Sequence, residues 1–394
     1  MPLKKTIPCS KIIEACEYAG FDLRVLEKRV PALARQRGKS TIELTFKQLE
    51  TVSELTHYPY YGFYIPQKVT LPPAELPDLR VSSGKLEAPN FWLRRQISMC
   101  KDHVDWFAEM AMADGIGDVP LVGSLKASSD PKMAAYAWRA RLWIAGSCRG
   151  SKDSCDYFEN LRGALEDEGV LTEGGAHCLG NPRARFNNGE FLGFAISDRY
   201  APLVFVNKAS SPEEQIFCLM HEFGHLLLGK GGISNICFEA PDLKAKPEDR
   251  TEQWCASFAS GMLVPQGELA SVPCTRDGVE EFAQRFHVSP MLVLSKLRDA
   301  KAIDEGAFAF LRGAFMQSPR RTVRMPKRDL LASAIDLVGR RLLMSLLDSV
   351  NAGRTLVRDA YRLLGMKGAD FLDVRDEAMI RNRAGRQSIL EKEV

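Results

Sequence analysis

The chain has 394 residues, enough for two or three domains with ample surface to bury. Hydrophobic residues make up 45% and charged residues 26%, the balance of a folded globular protein. The formal net charge is +3, from 53 Lys+Arg against 50 Asp+Glu, which argues against a wholly nucleic-acid-coating chain or an acidic-tail protein.

The start, MPLKKTIPCSKIIEAC, is basic but lacks the apolar segment and cleavage site of a secretory signal. Residues 330–347 are interrupted by Asp336, Arg340 and Arg341, so they fall short of a membrane span. The expectation is a cytoplasmic protein with no membrane partner. The ten cysteines include no CxxC pair and read as reduced thiols, mostly small buried hydrophobes.

Residues 9–62 read as short helices: IIEACEYAG, DLRVLEKRV and TFKQLETVSEL carry apolar residues at helical spacing. Ile65-Pro66 and LPPAELPD (71–78) break helix and read as an extended connector. Helix returns over 87–117 and 131–144. GVLTEGG (169–175), FLGFAIS (191–197) and PLVFVN (202–207) read as short strands bounded by turn residues. PLVFVN could be a core strand, or an edge able to accept a peptide as an added strand.

Ser211-Pro212-Glu213-Glu214 predicts a helix start, with serine as cap, proline in the first turn and Glu214 completing a capping box. Gly229 and Gly231-Gly232 predict its end. Further helices are expected at about 249–263, 277–312 and 329–365, and the last ten or so residues are expected to be loose. The segmentation suggested is 1–66, 67–136, 137–275, 276–318 and 319–394.

The helix after Ser211 contains His221-Glu222-Phe223-Gly224-His225, an HExxH motif. Four residues of α-helix turn through about 400°, so the two imidazoles lie about 40° apart on one face. Both can reach one zinc ion, and Glu222 can take a proton from a water activated by that ion. Catalytic zinc needs a third protein ligand. Cys237, Glu239, Asp242, Glu248, Asp249 and Glu252 all lie downstream, while the long metzincin spacing fails because it falls on Leu228 and Gly231. Cys255, Phe258, Ala259, Met262 and Leu263 form an apolar stripe, and Glu252 sits one turn before it. A carboxylate on that stripe needs a partner, which favours Glu252, with Glu248 next.

GFAISDRYAPLVFVNKASSPEEQIFCLMHEFGHLLLGKGGISN, followed by EQWCASFASGMLVP, resembles the ImmA/IrrE metallopeptidases. The resemblance implies an α+β fold with a zincin-like core, a small sheet plus the HExxH helix, between helical N-terminal and C-terminal regions. It implies one zinc ion held by His221, His225 and Glu252, with Glu222 as the catalytic base. It also implies cleavage of a partner protein, a transcriptional regulator or the cognate member of a phage, mobile-element or stress-response module. Trp254-Cys255-Ala256 departs from the family's usual small-then-polar pattern beside the third ligand.

Residues 9–65 resemble, more weakly, a degenerate helix-turn-helix of the Xre type, and residues 77–80 fit the family's connector. Residues 1–50 hold ten Lys/Arg and six Asp/Glu, so Arg35, Arg37 and Lys39 could meet phosphates, but the excess makes a weak case for DNA. Residues 318–394 are more basic, including Arg320, Arg321 and Arg324, and read as solvated helix faces with a partner surface. His57, His103 and His287 read as structural. Tyr200, Arg199 and His177 are candidates for stabilising the transition state. Two alternatives stay open: a toxin–antitoxin or repressor component that uses a peptidase-like domain for recognition, and an aminopeptidase acting on free peptides.

Overall fold

A computed structural model describes residues 4–19, 22–56, 58–69, 76, 90–187, 189–234, 250–316 and 329–390. The connector at 71–78 apart from Leu76, the 77–80 segment, His57, Cys237, Glu239, Asp242, Glu248, Asp249 and the basic run at 320–324 lie outside the described residues. The chain forms two compact units, residues 1–75 with 87–98, and residues 76–86 with 99–394. No described helix is long and apolar enough to cross a membrane.

The first unit runs β1 (Lys4–Pro8), α1 (Cys9–Ala19), α2 (Leu23–Arg29), α3 (Pro31–Ala34), β2 (Thr41–Thr45), α4 (Phe46–Thr56) and a 3-10 turn at Tyr60–Phe63. The three expected helices form, but the unit is not purely helical. β1 and β2 pair antiparallel, Ile7 opposite Ile42. Both strands are short and half exposed, so their alternation is weak, and the partners are some 35 residues apart in sequence. Ile7, Ile12, Leu26, Ile42, Leu44, Leu49, Val52 and Phe63 close a small core. Arg37, one of the three cations suggested for phosphate contact, pairs instead with Glu27.

α5 (Phe91–Ala113) is followed in the second unit by α6 (Pro131–Arg141), α7 (Ile144–Gly150) and α8 (Ser154–Asp167). The last two are helices that the sequence reading passed over, although Tyr157, Phe158, Leu161 and Leu165 bury one face of α8. Then come β3 (Leu171–Gly175), β4 (Gly193–Ile196), β5 (Leu203–Asn207), α9 (Pro212–Leu227), β6 (Gly232–Ser234) and α10 (Arg250–Leu263). Helices α11 (Gln266–Leu269), α12 (Arg276–Arg285), α13 (Pro290–Asp299) and α14 (Glu305–Met316) follow. The C-terminal part holds α15 (Leu330–Val338), α16 (Arg340–Asn351), α17 (Val357–Leu363) and α18 (Gly368–Leu390). α18 reaches Leu390, into the stretch where the sequence suggests loose chain.

Among the described residues the fold is mixed α+β, mostly helical with two small sheets. The larger sheet has the order β3-β5-β4-β6. β5 lies inside it, parallel to β3 and antiparallel to β4, so PLVFVN is a core strand and its backbone is unavailable for an added strand. All five residues of β5 are buried, which accounts for its unbroken apolar run.

β3 is an edge by strand order yet is buried at every position, because α15 packs against it. Arg162, on α8, donates to the carbonyls of Thr172 (2.9 Å), Asp336 (3.2 Å) and Ile335 (3.3 Å). Lys208 donates to the Asp336 carbonyl at 3.1 Å and pairs with its carboxylate. Glu166 accepts from the first amides of α16, Arg340 and Arg341 (3.1 and 3.2 Å). Gly339, at φ +77°, makes the turn between α15 and α16; a Cβ there would meet the Thr172 carbonyl at 2.3 Å.

Candidate metal centre

α9 begins as its sequence predicts. The Ser211 hydroxyl accepts from the Glu214 amide (3.3 Å), the Glu214 carboxylate accepts from the Ser211 amide (2.9 Å), and Pro212 takes the first turn. Helix ends at Leu227, with Gly229 at φ +64° beyond it. Ile216, Leu219, Met220, Phe223, Leu226 and Leu227 fix the helix in the core, so the motif residues are placed by packing on both flanks.

α10 lies against α9. Cys255, Phe258, Ala259, Met262 and Leu263 are buried as the stripe predicts, and Gly224 lets the helices approach: a Cβ there would lie 3.3 Å from the Cys255 sulfur. Trp254, part of the unusual Trp-Cys-Ala segment, stacks on Phe258 (5.3 Å, 8°) and donates its indole N–H to the Ser129 carbonyl at 2.8 Å. The bulky residue therefore anchors α10 on the side away from the ligand set.

This packing turns Glu252 inward, 1% exposed. Its Oε2 lies 3.1 Å from His221 Nε2, and its Oε1 lies 3.0 Å from His225 Nε2. The two Nε2 atoms are 3.2 Å apart. Among the described residues, these three side chains are the group of acidic, histidine or cysteine residues close enough to hold a metal ion.

The triangle fits a metal. Tetrahedral bonds of about 2.0–2.1 Å put neighbouring ligand atoms about 3.3 Å apart, close to the three spacings seen. The electrostatics agree. The Nδ1 atoms of both histidines are buried with no hydrogen-bond partner among the described residues, and the Glu222 carboxyl is buried with only the Ser234 hydroxyl to interact with it as a hydrogen-bonding group. Burial, to which the Glu252 charge adds, pushes the Glu222 carboxyl up to about 8 against the pull of His225. Glu252 is held down to about 2: burial would raise it, but its hydrogen bonds and charge interactions with the two histidines prevail. Two buried carboxylates beside two imidazoles make a place where a divalent cation would be strongly favoured.

Ser234, on β6, was missed by sequence reasoning. Its hydroxyl lies 3.4 Å from His225 Nε2, and it is 2% exposed. It sits in a three-residue strand after a glycine pair, and the only signal was GGIS directly behind the motif helix.

The three remaining candidates have other partners. The Arg199 guanidinium is largely exposed, pairs with Asp118 and lies 5.9 Å from the Tyr200 ring. Tyr200 is held through its backbone amide by Asp198 (2.8 Å). His177 forms an isolated antiparallel bridge with Arg185, and partial burial with the Arg185 charge depresses its pKa. Among the described residues, none of the three hydrogen-bonds His221, Glu222, His225 or Glu252. Of the histidines read as structural, His103 is fully buried against Glu173, and His287 packs on Tyr157.

Residues 183–298 match the family model Peptidase_M78, the IrrE N-terminal-like domain. The matched segment spans β4, β5, α9, β6, α10 and the helices to α13, and so contains His221, Glu222, His225 and Glu252. The match supports the ImmA/IrrE resemblance and suggests protease activity for this domain. Residues 338–373 match a second model, a domain of unknown function (DUF8813), which covers α16, α17 and the start of α18. No curated protein matches the chain.

Proposed function

We propose that this protein is a zinc-dependent endopeptidase with a zincin-like core that cleaves a specific protein partner, a transcriptional regulator or the cognate member of a two-gene module. The observation that carries the reading is the convergence of His221, His225 and Glu252 at 3.0–3.2 Å beside the buried carboxyl of Glu222. The match over residues 183–298 supports it independently.

In this reading His221, His225 and Glu252 hold the ion. Zinc supplies Lewis acidity, which makes water a nucleophile near neutral pH and polarises a carbonyl. Glu222 takes the proton from the attacking water and returns it to the leaving amine. A divalent charge nearby favours the ionised form of Glu222, bringing a carboxyl that otherwise keeps its proton to about pH 8 into the basic state. Gly193, on β4, leaves the space that the Glu222 side chain occupies: a Cβ there would lie 3.2 Å from Glu222 Cγ.

The test is incubation of the zinc-loaded wild type and Glu222→Gln with a candidate partner encoded nearby. The expected result is one zinc per chain in both, and cleavage by the wild type alone. Absence of bound metal in the wild type, with the partner left intact by both proteins, would overturn the reading.

A further inference from the structure

A cavity of about 520 Å³ opens among α6, α10, α11 and α13. None of His221, Glu222, His225 or Glu252 lines it, but three of its wall residues lie within about a turn of them along α9 and α10. Phe217, on its wall, sits one turn before His221 on α9, with ring centroids 5.9 Å apart. On α10, Gln253 follows Glu252 directly, and Ala256 lies one turn beyond it, about 40° around the axis. The cavity then continues past Ser260 to Val264. Its volume is that of an ordinary small-ligand pocket.

The charge on its walls is one-sided. Lys132, Arg139, Lys296 and Arg298 line it, against the single carboxylate of Asp299. Two of these cations are engaged: Arg139 donates to the Met262 carbonyl, and Arg298 lies 4.5 Å over the Phe308 ring. Lys296 makes no hydrogen bond or salt bridge among the described residues. Burial depresses its pKa; Asp299 opposes that and Lys132 adds to it. A half-buried ammonium without a hydrogen-bonded partner is destabilised, and an arriving carboxylate relieves that cost.

We infer that this cavity is a substrate subsite taking an acidic side chain, aspartate or glutamate, with Lys296 as its specificity-determining residue. The inference rests on the peptidase reading for the word substrate. Phe217, Val264 and Leu269 give the same cavity an apolar wall for a flanking residue.

The test uses zinc-loaded Glu222→Gln protein, so that binding is read without cleavage. Three dye-labelled pools of otherwise randomised hexapeptides carry Glu, Gln or Lys at one fixed position, and affinity is read by fluorescence anisotropy. The Glu pool should bind about tenfold more tightly than the Lys pool. Adding Lys296→Glu should reverse that order with zinc content unchanged. Equal affinity for the three pools, no binding of any pool, or a preference that survives Lys296→Glu overturns the inference. The last outcome would mean that the peptide carboxylate binds the zinc itself. Wild-type cleavage of the same pools reports separately on the peptidase reading. Cleavage without acidic preference removes the subsite alone. Acidic preference with neither the pools nor the candidate partner cleaved supports the pocket and removes the peptidase.

Discussion

Gly193 lies against Glu222 with no room for a side chain. A Cβ at Gly193 would stand 3.2 Å from Glu222 Cγ, 2.7 Å from the Phe205 carbonyl oxygen and 2.5 Å from the Cys218 sulfur. The backbone of β4 is thus the wall against which the proposed base is set. Gly193→Ala should lower stability by about 1–3 kcal/mol, the range for overpacking a close-fitted interior. Denaturant unfolding checks this. An unchanged midpoint would show that β4 can yield without loss, and would remove the argument that it positions Glu222.

Metal removal should be visible as lost stability. The ligand triangle exists only in the folded chain, so zinc at about a hundred times its dissociation constant should add about 2.7 kcal/mol. Thermal midpoints with zinc and with a chelator give the measurement. His225→Ala should make the two midpoints coincide. A wild type indifferent to the chelator would argue against a metal at this place.

His103 and Glu173 tie α5 to β3 within the second unit, at 2.7 Å between Nδ1 and Oε1, while His103 Nε2 lies 2.7 Å from the Leu363 carbonyl oxygen. His103→Ala should cost about 3–5 kcal/mol, because it strands a buried carboxylate. Burial by itself would depress the His103 pKa, but the Glu173 charge and the two hydrogen bonds raise it above 6.5. A raised folded pKa means the contribution is full below the unfolded value and fades as pH rises through the folded one. The stability gap between wild type and His103→Gln should therefore be widest below about pH 6.5 and narrow in alkaline buffer. A gap that widens with pH would show that the histidine is buried neutral.

Ser211→Ala removes the cap of α9 and should cost about 1 kcal/mol. The zinc content should not change, since the ligands lie more than two turns away and are held by the core on both sides. Metal analysis beside thermal unfolding separates the two effects; loss of zinc together with stability would show that the first turn helps set the ligand geometry.

Local signals were the legible ones. The Ser211 box, the stop at Gly229, the ligand spacing and the inward stripe of α10 are all written within a few turns of chain, and each appears where its residues lie. Glu252 was approachable because a carboxylate on an apolar stripe advertises its need for a partner. What stayed hidden depends on distant partners. β1 and β2 have little alternation of their own and form because Ile7 meets Ile42. β5 could be read as edge or interior until β3 and β4 were seen on its two sides. Ser234 acquires meaning through its nearness to His225 and Glu222. The arginine and lysine under α15 look like ordinary surface charges until the carbonyls of residues 335 and 336 are placed over them.

That last arrangement bears on how the chain can be shortened. A protein cut before residue 329 would leave one side of β3 without its cover, and Arg162 and Lys208 without acceptors they now use. An uncovered strand of this kind recruits other copies of itself, so the truncated chain would be expected to precipitate rather than simply lose an appendage. The C-terminal helices are in this sense the protein's own safeguard against self-association.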